Sequence, residues 1–459
     1  MKGNPARLML TAPASGSGKT MVTCAALKLL AQSGKAVSFK CGPDYIDPMF
    51  HRKVLHTSSY QLDSFFMERD ALRRSLLRHT PAGGIAVLEG AMGYYDGVAG
   101  TTTQASAYEV AKQTKTPVVL VIDCKQMSTS VLAVIHGFLT LYPDSGIKGV
   151  IFNQLSAARY PELQKLVEQN FPVKALGYLP FLSECQLESR HLGLVTAQEV
   201  TDLQNKLERL AEQARESLDL PAIVALAHEA PELEAEEELL PERVKEPPVI
   251  ALARDEAFCF TYQENLELLE QLGAEILPFS PLWDKEIPEN ADGLLLSGGY
   301  PELYAKTLSE NSGMRDSVLN AVHGGMPCIA ECGGFLYLGK SLVDQRGECY
   351  DMAGALPMES YPKQGLGRFG YITLTAQKDN LLCQAEGQIK AHEFHYWETS
   401  DPGSSFLAVK PVRGTKWECA HTSRSLYAGF PHLFLPSNPE AAKRFVLACC
   451  AYRQKRRNA

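Results

Sequence analysis

Short apolar runs rich in β-branched residues recur along this chain, separated by stretches of helical period. In the first half they fall at 7–10, 36–39, 85–88, 117–122 and 149–152, and a second series falls at 249–253, 275–279, 293–296 and 328–330. Mostly apolar strands alternating with helices predict βαβ units, so each half is read as a parallel sheet covered by helices, and the fold class as α/β. The 459 residues suit two or three domains at about 150 residues each. Between the two series lies HEAPELEAEEELLPERVKEPP at 228–248, whose four prolines and glutamate-rich centre read as a solvated helix plus linker. The expected organisation is a first domain at 1–228, an acidic linker at 229–247 and a second domain at 248–445.

Composition excludes several classes of function. Lys plus Arg number 45 against 53 Asp plus Glu, a net charge of −8, opposite to what phosphate neutralisation of a nucleic acid requires. No secretory h-region follows the first residues and no stretch of about 18 residues is apolar throughout, so no membrane role is expected and the cytoplasm is the default. The twelve cysteines include no CxxC pair. They read as reduced core residues, Cys332 excepted, and not as a metal framework. The closing basic residues Arg453 to Arg457 read as a solvated terminus.

Directly after the first strand stands Ala14-Ser15-Gly16-Ser17-Gly18-Lys19-Thr20, and a helix-compatible segment follows. Strand, glycine-bearing loop, Lys-Thr and helix make a P-loop: amides at Ser15, Gly16, Ser17 and Gly18 face phosphates, Lys19 reaches the β and γ oxygens, and Thr20 ligates Mg²⁺. Pro13 stands where the pattern has its first glycine. Open α/β sheets bind ligands at the carboxyl ends of their strands. The turn KCGPDYIDP at 40–48 thereby brings Lys40, Asp44, Tyr45 and Asp47 to the phosphates. The strand at 85–88 delivers Glu89 and EGAMGYYDG to the same edge. Glu89, at the tip of an apolar strand, is expected to hold Mg²⁺ or its water shell. Asp44, Asp47 and Asp96 carry either this chemistry or turn and capping duties. Asn153 either reads a nucleobase or caps a helix.

In the second half Cys328 to Leu338 runs strand, small-residue corner, helix. That is a nucleophile elbow with Cys332 in place of serine: small neighbours allow the strained turn, and the Gly333 amide can hold an oxyanion. The helix N-terminus is expected to lower the thiol pKa. Gly298 and Gly299, after another strand, are candidates for the second oxyanion donor. His432 is the candidate base, with His392 and His395 as competitors.

These residues resemble the cobyrinate a,c-diamide synthase family nearly end to end. The resemblance rests on KCGPDYIDP, EGAMGYYDG, SRHLGL at 189–194, the segment at 253–282 that opens ARDEAFCFTYQ, SGGYPEL, AECGGFLYL and AHEFHYW. It implies a P-loop domain of the dethiobiotin-synthetase type followed by a flavodoxin-like class I glutamine amidotransferase domain, both three-layered. It aligns Cys332 with the glutaminase nucleophile and His432 with its histidine. Many class I domains carry Glu two residues after that histidine; Phe434 stands there, which leaves the third member unassigned. Ala330 replaces the first glycine of the usual elbow.

The resemblance implies that Mg-ATP phosphorylates a peripheral carboxylate of a tetrapyrrole. Lys19 and Lys40 then stabilise charge, and Thr20, Asp44, Asp47, Glu89 and Asp96 hold Mg²⁺ and order the acceptor. Arg190 and His191 grip other carboxylates, or serve only as helix-turn residues. Ammonia from glutamine at Cys332 displaces phosphate. The substrates are thus ATP, glutamine and a tetrapyrrole, and a homodimer stays open. Other readings are the same amidation on hydrogenobyrinate or nickel sirohydrochlorin, a P-loop switch with a decayed amidotransferase module, and a free-standing glutaminase.

Overall fold

The structure, a computed structural model, describes residues 1–185 and 197–458. It divides into two compact units, Met1–Glu238 and Leu239–Ala459. Among the described residues no helix is long and apolar enough to cross a membrane.

The first unit is built on seven parallel strands: β1 (Ala6–Thr11), β2 (Ala36–Lys40), β3 (Ser59–Gln61), β4 (Ile85–Glu89), β5 (Val118–Asp123), β6 (Ile147–Asn153) and β7 (Lys174–Leu179). Their order across the sheet is β3-β2-β4-β1-β5-β6-β7. Every residue of β1 and β4 is buried, as expected of strands covered on both faces. Helix α1 (Lys19–Ser33) follows β1 and packs Val22, Ala26, Leu29 and Leu30 onto the sheet. Strand order reverses at β1, between β4 and β5, so the carboxyl end of β1 is the switch point where such sheets open a crevice.

The glutamate-rich segment forms no helix, contrary to its sequence reading. Leu233–Glu234 pairs antiparallel with Lys2–Gly3, and Leu233 and Ala235 are buried. Arg73 and Arg74 donate to the carbonyls of Glu234 at 3.2 Å and Glu236 at 3.0 Å. Apolar side chains two apart suit an extended strand better than a helix here.

The second unit has a six-stranded main sheet. Its strands are β8 (Val249–Ala253), β9 (Glu275–Phe279), β10 (Gly293–Leu296), β11 (Cys328–Glu331), β16 (His421–Thr422) and β17 (Leu426–Gly429), in the order β9-β8-β10-β11-β17-β16, parallel except for β16. A second sheet is antiparallel: β12 (Phe369–Ala376), β13 (Gln388–Phe394), β14 (Phe406–Val409), β15 (Lys416–Cys419) and β18 (His432–Leu433), ordered β15-β14-β12-β13-β18. Alternate residues of the main sheet enter different cores. Ala251, Leu294 and Ala330 face helices on one side. Ile250, Ile329 and Tyr427 face Ile372, Leu374 and Ala408 of the second sheet on the other. That outer layer, shared by strands and helices, is an addition to the layering read from sequence. The basic C-terminal run is solvated, as read: Gln454 to Arg457 are exposed at the close of the helix Pro439–Asn458, where Arg456 also donates to the carbonyls of Glu289 at 2.7 Å and Ala291 at 3.0 Å and pairs with Asp292 at 3.0 Å.

Candidate functional site

The loop after β1 bends through left-handed glycines, with φ of 80° at Gly16 and 87° at Gly18. A Cβ at Gly18 would lie 2.0 Å from Asn153 Nδ2, so only glycine fits there. Asn153 donates that amide to Ser17 O at 3.1 Å. Its nitrogen therefore braces the loop, and the next helix, Tyr160–Asn170, has Arg159 as its N-cap, which corrects the capping expectation. Ser17 Oγ donates to Ala14 O at 2.9 Å. Lys19 is buried and donates to Ala14 O at 3.0 Å and Met92 O at 2.6 Å, so the Glu89–Gly97 segment lies on the loop. A Cβ at Gly93 would meet Pro13 O at 2.5 Å, the mark of that close approach. Burial and the neighbouring Lys40 bring the Lys19 ammonium down to about 8.

Behind the loop the strand ends assemble a cluster of opposite charges. Thr20 Oγ1 donates to Glu89 Oε1 at 2.8 Å, and Lys40 Nζ donates to the same oxygen at 3.1 Å and to Asp47, with Asp44 at 3.8 Å. Burial opposes the Lys40 charge, but Asp47, Glu89 and Asp44 outweigh it and hold the group well above its usual range. Burial and Asp47 raise Asp44 to about 6; burial raises Glu89 to about 7 against the pull of Lys40. Burial also opposes the Asp47 charge, yet Lys40 and His51 keep it below its ordinary value. Glu89 is wholly buried, and its Oε2 makes no hydrogen bond among the described residues. An orphan carboxylate oxygen beside a threonine hydroxyl and a second carboxylate is an all-oxygen donor set, which suits Mg²⁺.

The remaining candidates near this cluster have structural duties as well. Asp44 Oδ1 accepts from Ile46 N at 2.8 Å and so starts the helix Ile46–Lys53, whose N-cap is Tyr45. Asp96 Oδ2 accepts from Gly93 N at 2.9 Å and shapes its own loop. Arg190 and His191 lie outside the described residues.

In the second unit Cys332 has φ 46° and ψ −102°, the strained corner an elbow requires. Its amide donates to Gly429 O at 2.8 Å, tying the corner to β17, and its Sγ lies 3.8 Å from Phe394 O. A Cβ at Gly333 would sit 2.9 Å from Gly299 N, so two of the glycines expected to hold an oxyanion adjoin. His432, three residues beyond β17, reaches the same edge, and a Cβ at Gly298 would fall 2.2 Å from its Cε1. Burial and His395 lower His432 to about 3, which leaves it neutral. Burial and Glu302 push the Cys332 thiol up, overriding the Gly333 amide. This corrects the expected lowering: the helix behind it, Gly333–Leu338, is short, and the site is both dry and acidic.

Of the competing histidines, both of which lie near His432, His395 has its own partners. His395 stacks on Phe430, with centroids 3.8 Å apart, and its ring nitrogens meet Trp397 O at 2.6 Å and Glu393 Oε1 at 3.0 Å. His392 pairs with His432 across the backbone of β13 and β18 and is lowered by burial to about 3.

Two family models match this chain. The CobQ/CobB/MinD/ParA nucleotide binding domain covers residues 8–195, and the CobB/CobQ-like glutamine amidotransferase domain covers 249–439. A cobyrinate a,c-diamide synthase of Caldanaerobacter subterraneus subsp. tengcongensis is 38% identical over 451 residues, 97% of this chain and 99% of that protein. Proteins of the same name from Priestia megaterium and Listeria innocua are 35% and 37% identical, covering 99% and 94% of this chain and 99% and 97% of theirs. The chain belongs to the cobyrinate a,c-diamide synthase family. It is accordingly a glutamine-dependent ligase with a nucleotide-binding domain.

Within this family frame, three groups escaped the sequence reading. His51 lies in the first cluster, its Nε2 3.8 Å from Glu89 Oε2 and its Nδ1 2.8 Å from Ser38 Oγ. Glu302 follows Pro301, whose ring packs at Gly333, and burial raises it to about 8. Glu331 precedes Cys332 and lies 3.9 Å from His432. The only signal in the sequence was adjacency, since Glu302 and Glu331 lie inside the quoted motifs. Phe434, at the position of the usual glutamate, is fully buried against Tyr262 with centroids 5.4 Å apart.

Proposed function

We propose that this chain amidates the a and c acetate carboxylates of cobyrinate in cobalamin biosynthesis, using ATP and glutamine-derived ammonia. The observation that carries the reading is that one chain holds a P-loop backed by the Lys40–Asp47–Glu89 cluster and a cysteine elbow beside Gly299. The names of its full-length relatives supply the acceptor.

In this reading Ser15 to Thr20 cradle the ATP phosphates, with Asn153 bracing the loop from behind. Thr20, Asp47 and Glu89 hold Mg²⁺, which when bound neutralises charge on the phosphates. Lys19 and Lys40 stabilise the phosphoryl group as the substrate carboxylate attacks it, and hydroxide is replaced by phosphate as leaving group. Asp44, Tyr45 and Asp96 order the tetrapyrrole, and Arg190 and His191 grip its other carboxylates. At the second site neutral His432 takes the proton of Cys332 as sulfur attacks the glutamine amide, because the thiol is not ionised beforehand. Gly298, Gly299 and Gly333 receive the oxyanion. The imidazolium protonates the leaving nitrogen, ammonia departs and reaches the acyl phosphate, and water releases glutamate from the thioester.

The test is a product mass spectrum after incubation with Mg-ATP and glutamine, with cobyrinate, hydrogenobyrinate and nickel sirohydrochlorin offered separately. The expected result is cobyrinate diamide. Amidation of another ring would replace the acceptor, and hydrolysis of glutamine without any ring product would refute the synthase reading. Cys332→Ala is expected to abolish glutamine use and to keep ammonia-driven amidation; loss of both would contradict the division of labour.

A further inference from the structure

Three groups converge on His432: Glu331 at Nδ1, Gly298 against the ring, and the peptide of Leu433 that follows it. Glu331 Oε1 accepts from Leu433 N at 2.9 Å, so the carboxylate is tied to the same turn that carries the imidazole. Its Oε2 lies 3.9 Å from His432 Nδ1, within ion-pair range and beyond a hydrogen bond. Glu331 is 9% exposed and His432 2% exposed, so a charge on either ring or carboxylate is poorly hydrated and depends on the other. Glu331 also lines a small cavity with Asn265, Ser297 and Leu435.

We infer that Glu331 is the positioning residue for His432, supplying from the nucleophile strand the carboxylate that many class I domains carry after the histidine. The inference rests on the glutaminase reading of Cys332 and His432. With Nδ1 turned to Glu331, Nε2 is the nitrogen that accepts the Cys332 proton. The imidazolium then donates Nδ1–H to the carboxylate, a contact that tightens when the charge forms. The same proton leaves on the departing ammonia, so Glu331 ends each turnover as it began. Other ionisable groups face the site. Cys332 adjoins Glu331 in sequence, and Glu302 and Glu393 act on the thiol. His392 and His395 lie toward His432 from β13 and its following turn. Glu393 is bound to His395 at 3.0 Å.

The experiment compares the full-length wild type with Glu331→Gln and Glu331→Asp. Gln keeps an acceptor for the Leu433 amide and removes the charge; Asp keeps the charge on a shorter arm. Glutamine hydrolysis by Glu331→Gln is expected to fall about 10- to 100-fold in kcat, the loss of one hydrogen bond to a charged group, with KM for glutamine little changed. The acid limb of its pH–rate profile is expected to move to lower pH by about a unit, because the imidazolium has lost its anion. Glu331→Asp is expected to recover part of the rate and to return the limb toward wild type. A merely structural carboxylate would lower the rate equally at every pH. Wild-type kcat with an unmoved limb in Glu331→Gln would overturn the inference. If that variant melts early, a Glu331→Asp protein that folds yet shows a depressed rate with an unmoved limb would overturn it too. Ammonia-driven amidation runs alongside: a wild type that amidates with ammonia and never hydrolyses glutamine would overturn the glutaminase reading, not the choice of Glu331.

Discussion

Gly298→Ala is a one-methyl perturbation whose consequence can be worked from the structure. Gly298 has no left-handed backbone, so alanine meets no φ penalty there, and its amide stays in place. The whole effect is therefore steric. Its Cβ would lie 2.2 Å from His432 Cε1, 3.1 Å from Nδ1 and 3.2 Å from Nε2, where ordinary contact begins at 3.4 Å. The ring, buried and 6.4 Å from the Phe260 ring, must retreat by about 1 Å or the strands must part. Overpacking of this kind costs about 1–3 kcal/mol in stability. A displacement of about 1 Å in a reacting group costs roughly 100-fold in rate. Glutamine-dependent amidation should thus fall about 100-fold while ammonia-driven amidation in the same preparation holds. The assay is steady-state product formation with each nitrogen donor, beside a thermal melt. Glutaminase activity within about twofold of wild type would refute the reasoning, for it would mean that His432 need not sit against Gly298. Because the Gly298 amide survives, a large loss would also assign this glycine to making room for His432 before any part in an oxyanion hole.

Two more predictions concern the loop and a buried acid. Asn153→Ala removes the donor to Ser17 O and is expected to raise KM for ATP about 3- to 10-fold, the worth of one neutral hydrogen bond, with glutaminase activity unchanged; an unaltered KM would deny the brace. Glu302 is raised by burial to about 8 from 4.5, so between those values the folded chain holds a proton that the unfolded chain has lost. Its contribution to stability is then expected to fall as pH rises from about 7 to 8. His392 and His432, lowered to about 3 from 6.5, are charged in the unfolded chain near and below 6.5 and oppose the trend there, so the interval starts above it. Urea midpoints of Glu302→Gln that fall as steeply as those of the wild type over the same interval would contradict the burial of this acid.

The two-sheet plan was legible because it is written in local pattern. Runs such as Ile85–Leu88 are apolar throughout, as only strands covered on both faces need be, and the periods between them are helical. The phosphate loop was legible despite Pro13, since Gly16 and Gly18 are demanded by backbone angles and a strand precedes Lys19. The elbow at Cys332 was legible for the same reason: small neighbours permit a φ of 46°. The second sheet of the C-terminal unit went unread, for its strands mix buried and exposed residues and one edge is paired far along the chain, as Ala391 is with Leu433.

What the sequence by itself determined, then, is everything that a short window of residues imposes on its own backbone: strand and helix periods, left-handed glycines, the order of loop and nucleophile. The tertiary structure alone decided which charges meet and what burial does to them. Lys40 meets Glu89 across 49 residues, and Leu433 binds Glu331 across 102. The thiol of Cys332 rises where a helix terminus suggested a fall, and the side-chain amide of Asn153 meets the carbonyl of Ser17 across 136 residues. Those outcomes depend on through-space distance and on the removal of water, and neither quantity is carried by the spacing of residues along a chain.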